Sequence, residues 1–424
     1  MVCLATTQYT TTEHRRLIPQ TCPFRVTLHS VMARYALDPA FRFSHHTFAV
    51  DEPRGEVERI SSDLALPVEN PGPAEMGSIP VLLRKAGVKN ILLVHGTFVG
   101  GDIVGVVREV RRFSPVSAMR LNELGKAWFD DLVGDVGNYT NQFSEQLEDL
   151  INPVSLPPIH VERFSWSGEN HHIGRADGAV ALVNRMASME GKGRVLVLAH
   201  SHGANLLAML SQLAGASIPL KEAFFKATRL HYHSPLRSKV DLQDWTLARE
   251  MLLDTDSNRR PIDVATFGAP LRYRWNRKAC PRLLHFIQHR CIDEESPTKA
   301  MMPRTIRDVT AAVGGDYVQH LAIAGTDFLP SFFAWRDLIV ERRLRWIFES
   351  TARRRDVIGK LKQGRRESSD GKTLLVDYPT TAGQENQKLL GHGVYTSHKW
   401  LAFHLQVICR HFYQTDPSAE SESG

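Results

Sequence analysis

Residues 195–210 read VLVLAHSHGANLLAML. The first part, Val195 to Ala199, is apolar without alternation, as a strand covered on both faces of a parallel sheet must be. The second part, from Ala204 onward, reads as a buried helix. A strand that passes into a helix within two or three residues brings its own end against the first helical turn, so the flanking side chains have to be small. Ala199 and Gly203 occupy those places. The strained turn between them pushes Ser201 out above the sheet and leaves the His202 N–H at a helix N-terminus, where it can donate to an anion.

Working outward, similar short runs rich in Val, Ile and Leu recur along the chain. They are IPVLLR (79–84), NILLVHG (90–96), IHVERFSW (159–166), IDVATFG (262–268), YVQHLAIAG (317–325) and TLLVDY (373–378), each separated from the next by longer segments. Several are apolar on both faces, which predicts an α/β fold, a doubly wound, mostly parallel sheet between helices. In such sheets function sits in loops beyond the carboxyl ends of the strands. The Pro/Gly-punctuated VENPGPAEMGSIP marks a boundary, dividing an N-terminal accessory segment (1–75) from a main domain (76–415). Stretches near 103–157, 216–261 and 328–372 exceed ordinary strand-to-helix connections and are expected to build a helical cap. The tail 416–424 reads as disordered.

Composition narrows the class. The 424 residues are 42% hydrophobic and 23% charged, enough to bury a large core, and no segment has the apolar length of a membrane span. No secretory signal is visible, so a cytoplasmic location is the expectation. The five cysteines (Cys3, Cys22, Cys280, Cys291, Cys409) are odd in number and lack C-x-x-C spacing, which argues against a disulfide framework and a zinc site. The net charge of +6 comes without the aromatic-interleaved basic motif of a nucleic-acid module. The excess concentrates in 336–366, RDLIVERRLRWIFESTARRRDVIGKLKQGRR, read either as a helix with a solvated charged face or as a patch for peripheral membrane contact.

Two further strings give the turn at Ser201 a context. Residues 199–203, AHSHG, resemble the nucleophile elbow of the α/β-hydrolase superfamily in its alanine-first, lipase-like form. The strand NILLV runs into His95-Gly96-Thr97-Phe98, which resembles the H-G-x oxyanion loop of lipases and esterases. A phosphate cradle is the competing reading of this Gly-rich loop, but neither G-K-[ST] nor G-x-G-x-x-G with its acidic partner is present. The resemblance implies a serine hydrolase of carboxylic esters. Ser201 would be the nucleophile, with the N–H groups of Thr97 (alternatively Phe98) and His202 as oxyanion donors. A third string, RFSWSGENHHIGRADGAVALVNRM (163–186), is similar to the segment leading to the elbow in lipase-like hydrolases. Trp166 is expected to pack under the site, and His171 and His172 are read as loop residues.

The superfamily's chain order is nucleophile, acid, histidine, so base and acid must follow Ser201. His392, between Gly391 and Gly393 in a loop, is the expected base, with His398 the alternative; His398 falls in a first helical turn, where the dipole disfavours an imidazolium. His404 lies in an apolar helical run and reads as core. Asp327, just past the run 317–325, is the expected acid, with Asp293 the alternative; Asp263 is at the wrong end of its strand, and Asp377 comes late. His95, Phe98, Phe328 and Phe332 are expected to line the substrate, a small ester or lipid. No metal or cofactor is expected: the H-x-H pairs 200/202 and 231/233 lack the H-E-x-x-H context or clustered carboxylates. An acyltransferase or thioesterase with the same triad, or a silent lipid-binding scaffold, are the other readings.

Overall fold

In a computed structural model, the described residues are 41–46, 48, 52–60, 73–97, 138–191, 193–233, 241–254, 260–292, 294, 296–325, 335–348, 357–379 and 385–414. They fall within one compact unit, Phe41–Gly424. In chain order the elements are β1 (Glu56–Ile60), α1 (Pro73–Lys85), β2 (Val88–Val94), α2 (Asn141–Ile151), β3 (His160–Phe164), α3 (His172–Ser188), β4 (Arg194–His200), α4 (Gly203–Gly215), α5 (Ile218–Tyr232) and α6 (Gln243–Leu253). Then come β5 (Ile262–Phe267), β6 (Arg282–Gln288), α7 (Ile306–Thr310), α8 (Tyr317–Gly325), α9 (Trp335–Phe348), α10 (Val357–Gln363) and β7 (Lys372–Val376). Two 3-10 helices (Glu385–Thr396 and His398–Trp400) lead into α11 (Leu401–Tyr413).

The seven strands form one all-parallel sheet in the order β1-β7-β6-β5-β4-β2-β3, with helices on both faces. The expected α/β architecture is therefore present. Alternation along β4 shows how both faces are used: Leu196 and Leu198 join a core with Ile79 and Leu83 of α1, Phe143 and Leu147 of α2, and Leu405 and Ile408 of α11. Val195, Val197 and Ala199 point the other way and are equally buried. Truncating such a side chain, Leu198→Ala for instance, would cost about 2–5 kcal/mol.

The order reverses at β2. The chain goes from β2 outward to β3, then crosses back to place β4 on the other side of β2, with Val94 paired to Ala199. The loops leaving β2 and β4 thus run side by side at a topological switch point, where open sheets of this kind place their sites.

Several local expectations need correction. Residues 79–84 are helix, not strand: Ile79 and Leu83 are buried one turn apart while Val81 is exposed, a period of 3.6 rather than 2. Residues 317–325 are helix as well, with Gln319, His320 and Ile323 buried and Leu321 exposed. Residues 56–60, inside the segment read as accessory, are the edge strand β1, held to β7 partly by Lys372 Nζ on Glu56 (2.9 Å) and Glu58 (2.7 Å).

The longer connections supply helices to the body. From 216–261 come α5 and α6, and from 328–372 come α9 and α10; α6 and α9 pack with α3, and α5 packs with α9 and α6. The arginines of 336–366 do not all face outward. Arg343 is buried and donates to Ala227 O at 3.3 Å, and Arg365 and Arg366 are buried too. Among the described residues no helix is long and apolar enough to cross a membrane.

Candidate active site

Ser201 sits between β4 and α4 at φ +52°, a left-handed conformation that costs a residue with a Cβ about 1–2 kcal/mol. Its N–H donates to Phe267 O on β5 at 2.8 Å, and its carbonyl accepts from Ala204 N at 3.1 Å. The small neighbours follow from close approach. A Cβ on Gly203 would lie 2.4 Å from His95 O, and one on Gly96 would lie 2.8 Å from Ser201 Cβ. Only glycine lets the loop after β2 pass this close to the elbow.

That loop is braced from below. His95 Nδ1 donates to Gly96 O at 2.8 Å, and its Nε2 accepts from Trp166 N at 3.2 Å. Trp166 Nε1 returns a bond to His95 O at 2.9 Å, with the two rings stacked 5.7 Å apart. Both nitrogens of His95 are thus engaged within the protein, and Trp166 is the buried prop under the loop. Thr97, half-buried, follows Gly96; Phe98 lies outside the described residues.

His202 is the N-cap of α4, so its amide stands at the positive end of a helix. Its Nδ1 accepts from Asn205 Nδ2 at 3.2 Å and from Arg175 Nη2 at 3.4 Å. Arg175, fully buried, also donates to Tyr273 Oη at 3.2 Å and to Asn170 Oδ1. Nearby, His171 caps α3 by accepting from Gly174 N at 2.9 Å, and its Nε2 donates to Glu169 Oε1 at 3.2 Å. His172 opens that helix, its Nδ1 2.5 Å from Tyr273 Oη. Among the described residues no three His, Cys, Asp or Glu side chains are grouped to hold a metal ion.

His392 enters from the 3-10 segment after β7. Gly391, at φ +93°, makes the turn possible: a Cβ there would lie 2.6 Å from Gly315 O. His392 Nδ1 donates to Asp316 Oδ2 at 2.7 Å. The same oxygen accepts from Tyr395 Oη at 2.9 Å, and Asp316 Oδ1 accepts from Gln319 N at 2.8 Å. Asp316 is fully buried and His392 nearly so. Burial, and then the Asp316 charge, push the Tyr395 phenol well above its usual range, so it stays a proton donor. With Nδ1 holding a proton for Asp316, His392 Nε2 presents a lone pair, and that atom is buried with no hydrogen-bond partner. It can accept a proton.

The two halves meet at the end of β5. Ser201 N is bonded to Phe267 O, and a Cβ on the next residue, Gly268 (φ +59°), would come within 2.8 Å of His392 Cε1 and 2.9 Å of Asp316 Oδ2. The His200 ring, on the residue before Ser201, lies 4.6 Å from the His392 ring. No hydrogen bond joins Ser201 to His392 Nε2.

The carboxylate on His392 is Asp316, which was not among the residues singled out. Asp327 and Asp293, and the apolar candidates Phe328 and Phe332, lie outside the described residues. His398 is exposed, and His404 is buried against Tyr378 Oη at 2.8 Å. Asp263 is at the amino end of β5 with Arg194, and Asp377 is paired with Arg290 just past the carboxyl end of β7. A signal for Asp316 is present in Gly314-Gly315-Asp316-Tyr317-Val318-Gln319: an Asp after glycines, with Gln three residues on, is a helix N-cap pattern. Asp316 does that duty through Gln319 N while its other oxygen holds His392. Comparison of the chain with protein-family models, with curated proteins and with solved structures finds no match.

Proposed function

We propose that this chain is a serine hydrolase of the α/β-hydrolase type that cleaves carboxylic esters, lipidic ones by preference, through an acyl-enzyme. The observation that carries the reading is the strained Ser201 beside a buried His392–Asp316 pair whose Nε2 is open. Ser201 Oγ attacks the ester carbonyl carbon while His392 Nε2 takes its proton. The N–H groups of Thr97 and His202 hold the oxyanion, and Asp316, in the role first given to Asp327, orients the ring and balances the imidazolium. The carbonyl re-forms, the C–O bond to the alcohol breaks, and His392 returns the proton to the leaving oxygen. Water then repeats the sequence on the acyl-enzyme and frees the acid. No step needs a metal or cofactor. The cytoplasm is the proposed site of action, with the exposed part of 336–366 as a peripheral contact to anionic membranes.

The test is labelling with a fluorophosphonate, the adduct located by mass spectrometry, on wild type, Ser201→Ala and His392→Ala. The reading expects an adduct on Ser201, absent in Ser201→Ala and strongly reduced in His392→Ala. A folded wild type that takes no label, or takes it elsewhere, overturns it. Product analysis with added alcohols or thiols separates hydrolysis from acyl transfer.

A further inference from the structure

At the turn that carries Asp316 lies a second charge that the proposed chemistry does not use. Arg366, in the buried stretch between α10 and β7, is wholly enclosed. Its Nη1 donates to Gln288 O at 2.5 Å and its Nη2 to Gly314 O at 3.1 Å, while its Nε has no partner. These two carbonyls frame the acid. Asp316 N donates to the same Gln288 O at 3.0 Å, and Gln288 N donates at 2.7 Å to the Tyr395 hydroxyl, which in turn donates to Asp316. A Cβ on Gly315, between them, would come within 2.3 Å of Gln288 O. One guanidinium therefore clamps the end of β6 to the turn that presents the acid.

A buried arginine bonded to carbonyls alone is costly unless a counter-charge faces it. Burial works against its charge, and Asp316 is the first group that works for it. The neighbouring Glu367 carboxylate accepts from the Arg366 backbone N–H at 3.2 Å and is met by Arg54 at 3.5 Å and Arg365 at 4.0 Å, while the nearby histidines stay neutral. Burial, then Arg366 itself, holds His289 down at about 3 and His320 at about 4. His392 itself is faced by Asp316, Tyr395 and the ring of His200.

We propose that Arg366 is a positioning residue for the triad: it fixes the turn carrying Asp316 and supplies a permanent positive charge beside that turn. This rests on the roles proposed above for His392 and Asp316. It has a consequence that a merely structural strut would lack. The guanidinium field opposes an imidazolium at His392, so removing the charge makes His392 easier to protonate, while a cation that fits the clamp poorly does not.

The test follows the His392 C2–H resonance by NMR through a pH titration, assigned with His392→Asn, in wild type, Arg366→Gln and Arg366→Lys. The same three proteins are assayed for hydrolysis of a soluble p-nitrophenyl ester across pH. Arg366→Gln is expected to raise the His392 midpoint by about 0.5–1 pH unit and to move the acidic limb of kcat/KM by the same amount. Arg366→Lys is expected to titrate as wild type while kcat falls about tenfold at unchanged KM, from loss of one carbonyl contact. A folded Arg366→Gln with an unmoved midpoint overturns the proposal, as does a folded Arg366→Lys whose midpoint rises. The NMR arm needs no turnover, so a wild type without esterase activity would reject the function while still deciding the role of Arg366.

Discussion

Two aspartates are fully buried at opposite ends of the same sheet, and they are answered differently. Asp263, near the start of β5, meets Arg194 at 2.9 Å, the Tyr413 hydroxyl at 2.9 Å and Arg282 at 3.8 Å. Asp316, beyond the end of β6, meets a tyrosine hydroxyl, a backbone N–H and a histidine. At the first, burial holds the carboxyl above the usual aspartate range and the guanidinium groups of Arg194 and Arg282 work against that, so both charged partners are arginines, which keep their protons. At the second, the partner can gain or lose a proton, and its far nitrogen is open. The difference separates a carboxylate tied to arginines from one tied to a histidine whose other nitrogen is open.

Breaking each in turn should give opposite phenotypes. Asp316→Asn is expected to lower the rate of Ser201 acylation roughly 10⁴-fold by favouring the wrong histidine tautomer, with the urea midpoint little moved; stopped-flow labelling and equilibrium unfolding read the two quantities. Asp263→Asn is expected to do the reverse, costing about 2–3 kcal/mol of unfolding free energy through charged hydrogen bonds lost at Arg194, with turnover per folded molecule unchanged. An Asp263→Asn protein as stable as wild type but slow would erase the contrast.

Tyr395→Phe sharpens it. Removing the hydroxyl that joins Asp316 to Gln288 N leaves a buried N–H unanswered, at about 1–2 kcal/mol in stability, and is expected to slow turnover by about tenfold as Asp316 loosens. Titration gives a further handle. Burial depresses His404 to about 3, so the unfolded chain takes up a proton near pH 6.5 that the folded chain refuses. Its contribution is fully present above that pH and is lost as pH falls, by up to about 1.4 kcal/mol per unit, until the folded value is reached. His404→Gln keeps an acceptor for Tyr378 and is expected to flatten the fall in unfolding free energy between pH 6 and 4. The smallest effect belongs to Asp377, whose bond to Arg290 at 3.2 Å is partly exposed. Asp377→Asn is expected to change stability by less than about 0.5 kcal/mol and turnover not at all.

The contrast also shows why Asp316 was hidden from sequence reading while the turn at Ser201 was not. Around Ser201 the constraint is local: an apolar strand, small residues two before and two after, and a helix, all adjacent in the chain. The central strands were legible for the same reason, being apolar on both faces. Residues 317–325 are also apolar, and a nine-residue run of that kind has no period that an eye seeking strands will reject. Reading it as a strand pushes the expected acid past its end to Asp327, whereas the helix makes the residue before it, Asp316, the cap and the partner of His392. Glu56–Ile60 was missed for the opposite reason: an edge strand needs little apolar surface, and Glu56, Arg59 and Glu58 disguise it. Arg366 carries no sequence signal, since one arginine in a basic run looks like its neighbours until burial singles it out.

The place of β1 has a bearing on how the molecule comes into being. Its partner, β7, is the last of the described strands to be made, and the pairing of Glu56 with Lys372 joins nearly the whole described span of the chain. On a ribosome, β2 to β5 can pair while synthesis continues, but the outer edge cannot form until β7 has emerged. The early strand has to wait in solution for the late one, and its charged side chains keep it from pairing with strangers in the meantime.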